Sequence, residues 1–227
     1  MTFWVAVYGA LTAGFMLAEH RMPVASLGRV LRPWPVLTTT AVLVIGTVST
    51  LQLTVLPALL GHLRRDTAAV RAGEWWRLGT ALVTQDGGWF GFVTNMVTLV
   101  LVGVVAEFLL GRRAWLLAFG VPALAAEVVA LWWQPTGAGN SVAVAGLCGA
   151  VAVAALARAP YAVPAIVSIL AWAVLAVQGD IHGAAGVVGV LVGLALRTPW
   201  LARAASPRSP GSRGTRRSDD PAASGPR

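Results

Sequence analysis

Seven apolar stretches, at roughly residues 3–19, 36–60, 89–110, 114–133, 141–158, 161–178 and 181–200, follow one another with only short polar intervals between them. A membrane helix needs about 20 predominantly apolar residues. Inside a bilayer each backbone N–H and C=O must find its partner within the protein, so such stretches fold as helices. Only 11% of the residues are charged and the mean hydropathy is +0.73, against about 25% charge in an ordinary soluble domain. The expected class is therefore all-α, a polytopic membrane helix bundle of seven spans with no room for a soluble domain. The single cysteine, Cys148, falls inside a span, which leaves neither a disulfide framework nor a metal cluster to argue from. No cofactor and no metal are expected.

All 17 basic residues are arginine, and their placement sets an orientation by the positive-inside rule. Arg21, Arg29 and Arg32 follow the first span, Arg112 and Arg113 the third, Arg158 the fifth, and the rest of this set begins at Arg197. The expectation is a multi-pass protein of the cell membrane, N-terminus outside and C-terminus cytoplasmic. Residues 3–19 have neither a preceding basic residue nor a small-residue cleavage site, so they are expected to remain as a helix. Arg64, Arg65, Arg71 and Arg77 fall on the outer side, in loop 61–88; Trp75, Trp76 and Leu78 there read as a segment lying in the headgroup interface. From 204 to 227 the chain is rich in Ser, Pro, Gly and Arg, a disordered basic cytoplasmic tail. Its arginines fit topology and anionic lipid better than nucleic acid, since neither aromatics nor a folded platform accompany them.

With this topology several polar residues fall in one leaflet. Ser141 opens the fifth span, Asn95 lies about two turns into the third at 1.5 Å per residue, His182 is in the first turn of the seventh, and Asp86 stands at the entrance to the third. Polar side chains in spans face the bundle interior or a watery cavity, so they are expected to converge. Each also has a plainer role: Ser141 as a helix cap, Asn95 as an interhelical bridge, His182 as an interfacial residue beside Asp180. Glu127, well inside the fourth span, must be protonated or paired. With no second ionisable residue at comparable depth in another span, a structural hydrogen bond is expected for it. Pro122 and Pro164 read as kinks that neighbouring helices tolerate.

Taken together, GEWWRLGTALVTQDGGWFGFVTNMVTLVLVGVVAEFLLGRRAW, GNSVAVAGLCGA and GAAGVVGVLVGLAL resemble the rhomboid intramembrane serine proteases over about residues 36–200. The likeness rests on Trp76-Arg77 in the first outer loop, the Gly-Gly-Trp approach to the third span, Asn95, and Glu107 and Gly111 at that span's end. Gly139-Asn140-Ser141 with Gly146 and Gly149, and Gly189 with Gly193 in the last span, complete it. The resemblance implies a six-helix core at 36–203, preceded by one extra N-terminal helix and loop at 1–35, a 1+6 arrangement. It implies Ser141 as nucleophile in a serine and histidine dyad, with Asn95 and the Ser141 amide as oxyanion donors, and transmembrane protein substrates cut near the outer face. Small residues at Gly146, Gly149, Gly186, Gly189 and Gly193 let the fifth and seventh spans approach closely.

The chain departs from the family pattern at defined positions. Gly91 stands four before Asn95, where the family has histidine; Asp86 replaces the histidine before Gly-Gly-Trp; Val142 follows the serine in place of glycine. Aligning Gly189 and Gly193 puts Gly186 where the general base belongs, so His182 would be a displaced base, about 6 Å further out along the axis. Helical side chains lean toward the N-terminus, which tilts His182 outward. A working pair then requires Ser141 to sit higher than in the pattern, or an unwound entry to the last span. Asp180 either orients the imidazole or solvates the helix end. The readings are an intramembrane protease using Ser141 and His182 with loop 61–88 as a lateral gate element, a pseudoprotease that binds client helices, and, third, a small transporter or channel.

Overall fold

The computed structural model describes residues 1–21, 34–157 and 159–205. Arg29, Arg32, Arg158 and the tail from 206 onward lie outside the described residues. Among the described residues seven apolar helices form the bundle: α1 (Thr2–Arg21), α2 (Val36–Thr54), α6 (Gly88–Leu110), α7 (Arg112–Trp133), α8 (Ser141–Ala155), α9 (Ala159–Val177) and α10 (Ile181–Ala205). The short helices α3 (Ala58–Leu63), α4 (Thr67–Arg71) and α5 (Arg77–Thr80) lie in the loop between α2 and α6, which also carries β1 (Arg65–Asp66). Helices α1, α2, α6, α7 and α9 are long and apolar enough to cross a membrane, while α8 and residues 181–197 of α10 are shorter apolar helices.

The helix limits differ from the expected spans by a few residues, most at the ends of the second, fifth and seventh, the last of which runs to Ala205 rather than 200. The second span ends at Thr54 rather than 60, because Pro57 lacks the N–H that a continuing helix needs and instead precedes α3. The fifth ends at Ala155 rather than 158. None of these changes alters the number of apolar helices.

Helix α8 is apolar on every side, the signature of a helix with no exposed face, and all residues from Val142 to Val153 are buried. Around it stand α7, α6, α1, α9 and α10 in that order, with α10 closing back onto α7 and α2 packed outside against α6. The first span therefore fills the side between α6 and α9. Ser168 Oγ donates to the Ala6 carbonyl at 2.7 Å, and a Cβ on Gly9 would lie 2.8 Å from the Pro164 carbonyl oxygen.

Lipid offers no hydrophobic drive for helices to associate, so close approach of backbones must supply it. A Cβ on Gly149 would run into the Gly186 carbonyl, and one on Gly189 into the Gly146 carbonyl. These glycines let α8 and α10 meet backbone to backbone. Gly189→Ala is expected to lower stability by about 1–3 kcal/mol, read as a lower unfolding midpoint in detergent; an unchanged midpoint would show that the helices can part at no cost.

The polar residues of the spans tie elements together. Glu107 accepts from the Leu37 amide (3.2 Å), the Thr38 amide (2.9 Å) and Thr38 Oγ1 (3.0 Å), supplying in trans the acceptors that the first turn of α2 lacks. β1 pairs antiparallel with β2 (Thr136–Gly137), Arg65 opposite Gly137 and Asp66 opposite Thr136. This joint fastens the loop before α6 to the segment that leads into α8.

Candidate active site

The segment from β2 to α8 decides where Ser141 stands. Gly139 has φ +143°, a conformation that L side chains rarely adopt, and its amide donates to the Ala81 carbonyl at 2.9 Å. Asn140 precedes the helix and its carbonyl accepts from Ala143 and Val144, so Ser141 is the first residue of α8. Its own amide and that of Val142 lie in the first turn, where N–H groups have no intrahelical carbonyl and the helix dipole favours negative charge.

Ser141 Oγ lies 2.9 Å from His182 Nε2. The other ring nitrogen, Nδ1, is 2.7 Å from Asp180 Oδ1, which also accepts the His182 amide at 2.8 Å. The ring of Phe3, on α1, stands edge to face with the imidazole at a centroid separation of 5.0 Å. The hydrogen bond from His182 holds the Asp180 carboxyl below its ordinary range, against the opposing effect of burial. Asp180 lies between α9 and α10, and by linkage its contribution to stability is present above the ordinary carboxylate range and lost as pH falls through the lowered value.

The outward tilt expected of His182 does not separate the pair. Both residues stand at helix starts, Ser141 first in α8 and His182 second in α10, so an imidazole leaning toward the N-terminus meets a serine at that same end. Gly186 lies one turn further along α10, buried against Trp172 and the α8 backbone. The contact at 2.9 Å forms with α10 helical from Ile181 onward.

Asn95 is brought to the same point. A Cβ on Gly139 would lie 3.2 Å from Asn95 Nδ2, 3.4 Å from Gln85 Oε1 and 3.7 Å from Ser141 Oγ. Asn95 Nδ2 donates to Gln85 Oε1 at 2.7 Å, and Gln85 Nε2 donates to Asn140 Oδ1 (3.2 Å) and Ser49 Oγ (3.3 Å). The Gln85 amide donates to Gln52 Oε1 at 2.9 Å. Gln85 thus links α2, α6 and the entrance to α8 from a buried position. Sequence reasoning passed over it; the available signal was Ser49 and Gln52, three apart on one face of an otherwise apolar span.

The remaining predicted residues make their hydrogen bonds outside this cluster. Asp86 Oδ2 accepts from the Ala138 amide at 3.0 Å, which latches the entrance of α6 to the approach to Ser141. Arg77 is buried, bound to Glu74 Oε2 (2.7 Å) and to the carbonyls of Gly61 (2.9 Å) and Arg64 (3.1 Å), while Trp76 beside it is exposed. Gly189 and Gly193 pack against α8. Val142 is buried in the apolar core, and a Cβ on Gly91 would meet nothing within 4 Å.

Glu127 is paired through a structural hydrogen bond, as expected, and the sequence reading lacked only its partner. Its partner is Arg65, whose Nη1 lies 2.5 Å from Glu127 Oε2 with both side chains almost fully buried. The arginine comes from the loop rather than from another span, and an inventory of spans could not reveal it. Arg65 Nε and Nη2 also donate to the Gln134 carbonyl, at 3.1 and 2.8 Å, and Nη2 to that of Thr136 at 3.2 Å. Two of the arginines that contradicted the charge rule, Arg65 and Arg77, are therefore internal fasteners. Among the described residues no group of three His, Cys, Asp or Glu could hold a metal ion.

A hydroxyl hydrogen-bonded to an imidazole at two converging helix N-termini, with an amide donor beside it, is the arrangement that acyl transfer uses. The family model described as Rhomboid domain matches residues 72–203, more than half of the 227-residue chain. No curated protein and no solved structure matches the chain.

Proposed function

The chain belongs to the rhomboid family, and on that premise we propose that it is an intramembrane serine endopeptidase acting on transmembrane protein substrates. The observation that carries this reading is the 2.9 Å contact between Ser141 Oγ and His182 Nε2. Ser141 Oγ attacks the scissile carbonyl carbon as its proton passes to His182 Nε2, and the carbonyl π electrons move onto oxygen. That oxyanion takes hydrogen bonds from the Ser141 amide and from Asn95, whose Nδ2 carries two hydrogens and gives one to Gln85. The tetrahedral adduct collapses as the C–N bond breaks, and His182 returns its proton to the leaving amine. Water then attacks the acyl carbonyl as its proton passes to His182 Nε2, and that proton returns to Ser141 Oγ as the ester C–O bond breaks and the carboxylic acid leaves.

Gly139 and Asn140 position the nucleophile, Asp86 and Gln85 hold the entrance, and Gly186, Gly189 and Gly193 admit α10 to the side of α8. The loop at 61–88, fastened by Arg77 and presenting Trp75 and Trp76 outward, serves as the gate-side element. The arginine distribution supports a plasma-membrane orientation with the site near the outer face. Asn95→Ala is expected to lower kcat by about 100- to 1,000-fold with KM little changed, measured on a membrane-tethered reporter; a loss confined to KM would remove Asn95 from the oxyanion site.

The test is to present the full-length protein, in proteoliposomes, with a panel of single-span reporters and with a fluorophosphonate probe. Cleavage together with a probe adduct on the Ser141 peptide supports the protease. Neither cleavage nor adduct overturns it and leaves the second reading, a membrane-embedded binding module, which Gly91 in place of a histidine donor favours. Capture of an uncut single-span client would then support that module.

A further inference from the structure

Asp180 occupies the tight joint between α9 and α10. The chain leaves α9 through Gly179, at φ +76°, and enters α10 as the Asp180 carbonyl accepts from Gly183 and Ala184. Its side chain accepts the His182 amide, as a capping residue does. Capping alone needs nothing more. Yet the same Oδ1 lies 2.7 Å from His182 Nδ1, and this second bond bears on the chemistry.

An imidazole is a base toward Ser141 only if Nε2 offers its lone pair, which places the remaining proton on Nδ1. A carboxylate on Nδ1 selects that tautomer, and it steadies the imidazolium that forms when Ser141 gives up its proton. Phe3, packed edge to face on the same ring, limits rotation away from both partners. The dyad implied by the sequence resemblance has no third member. We propose that Asp180 is a positioning residue that makes the site a Ser141–His182–Asp180 triad. The inference rests on the protease reading of the site. Asp180 takes no proton in either step: the serine proton resides on Nε2 until it passes to the leaving amine, and the Nδ1 proton stays in place.

The experiment compares full-length wild type with Asp180→Asn and Asp180→Ser, both residue types being good helix caps. In each variant kcat on the reporter is expected to fall about 100- to 10,000-fold, with KM within about threefold and the unfolding midpoint within a few degrees. In parallel, ¹⁵N-histidine NMR on a background with His20 and His62 replaced by glutamine reads the His182 tautomer without any need for turnover. The wild type should carry its proton on Nδ1, and Asp180→Ser should shift it toward Nε2. Wild-type kcat in both variants, or an unchanged tautomer in Asp180→Ser, overturns the proposal. If the wild type neither cuts nor takes the fluorophosphonate, the protease reading fails, and the tautomer measurement still decides what Asp180 does.

Discussion

Replacing Ser141 with alanine is expected to remove reporter cleavage altogether, a fall in kcat of about 10⁶-fold, the size of loss found when a serine protease loses its nucleophile. With the hydroxyl gone, the His182 imidazole that lay 2.9 Å from it has no alcohol to activate. His182→Ala is expected to cost nearly as much, because the alcohol is a weak nucleophile until a base takes its proton. The double variant should be no worse than either single, since residues that act as one unit lose their joint contribution once. Each variant should keep the wild-type unfolding midpoint within a few degrees, because the pair is only partly buried. Cleavage that survives Ser141→Ala would remove it from the nucleophile's role. Additive losses in the double variant would mean that the two residues work independently.

The sequence carried the bundle because hydrophobic length is a local property: each span announces itself by composition, and an apolar run of about 20 residues crosses a bilayer as a helix. It carried Ser141, Asn95 and His182 for a similar reason, as polar residues placed at one depth by counting along helices. What it did not carry is reach. Gln85 and Arg65 lie in a loop, where neither depth nor direction follows from a repeat, yet both send their side chains inward to the elements around the site. The contact between Ser141 and His182 was a further case. Glycine spacing suggested a base one turn away from its expected place, but whether the two residues meet depends on how Gly139 and β2 bring the chain into α8, which no spacing records. Phe3 gave no signal, since nothing in its own span tells that α1 fills the side between α6 and α9.

Arg65→Ala is expected to destabilise the protein by about 3–5 kcal/mol, the range for stripping one partner from a buried ion pair. The guanidinium, 0% exposed, satisfies the Glu127 carboxylate and the carbonyls of Gln134 and Thr136 together. Alanine would leave all of these acceptors without their donor. Lysine is not an adequate replacement, because a single ammonium cannot reproduce the planar fork. Glu127→Ala should cost a similar amount by leaving the arginine charge buried. The double variant Arg65→Met with Glu127→Leu should recover much of either loss, since a pair of apolar side chains of comparable volume removes both desolvation penalties at once. Unfolding midpoints in detergent for the four proteins give the coupling directly; single variants within about 1 kcal/mol of wild type would mean that water reaches the pair. The effect should also extend to activity. Arg65 holds the last residues of α7 and the strand that runs into Gly139, Asn140 and Ser141, so the charge-free double variant, though folded, should cut more slowly than wild type. If it cuts at the wild-type rate, the ion pair serves stability alone and the position of Ser141 is set entirely by Gly139 and Asp86.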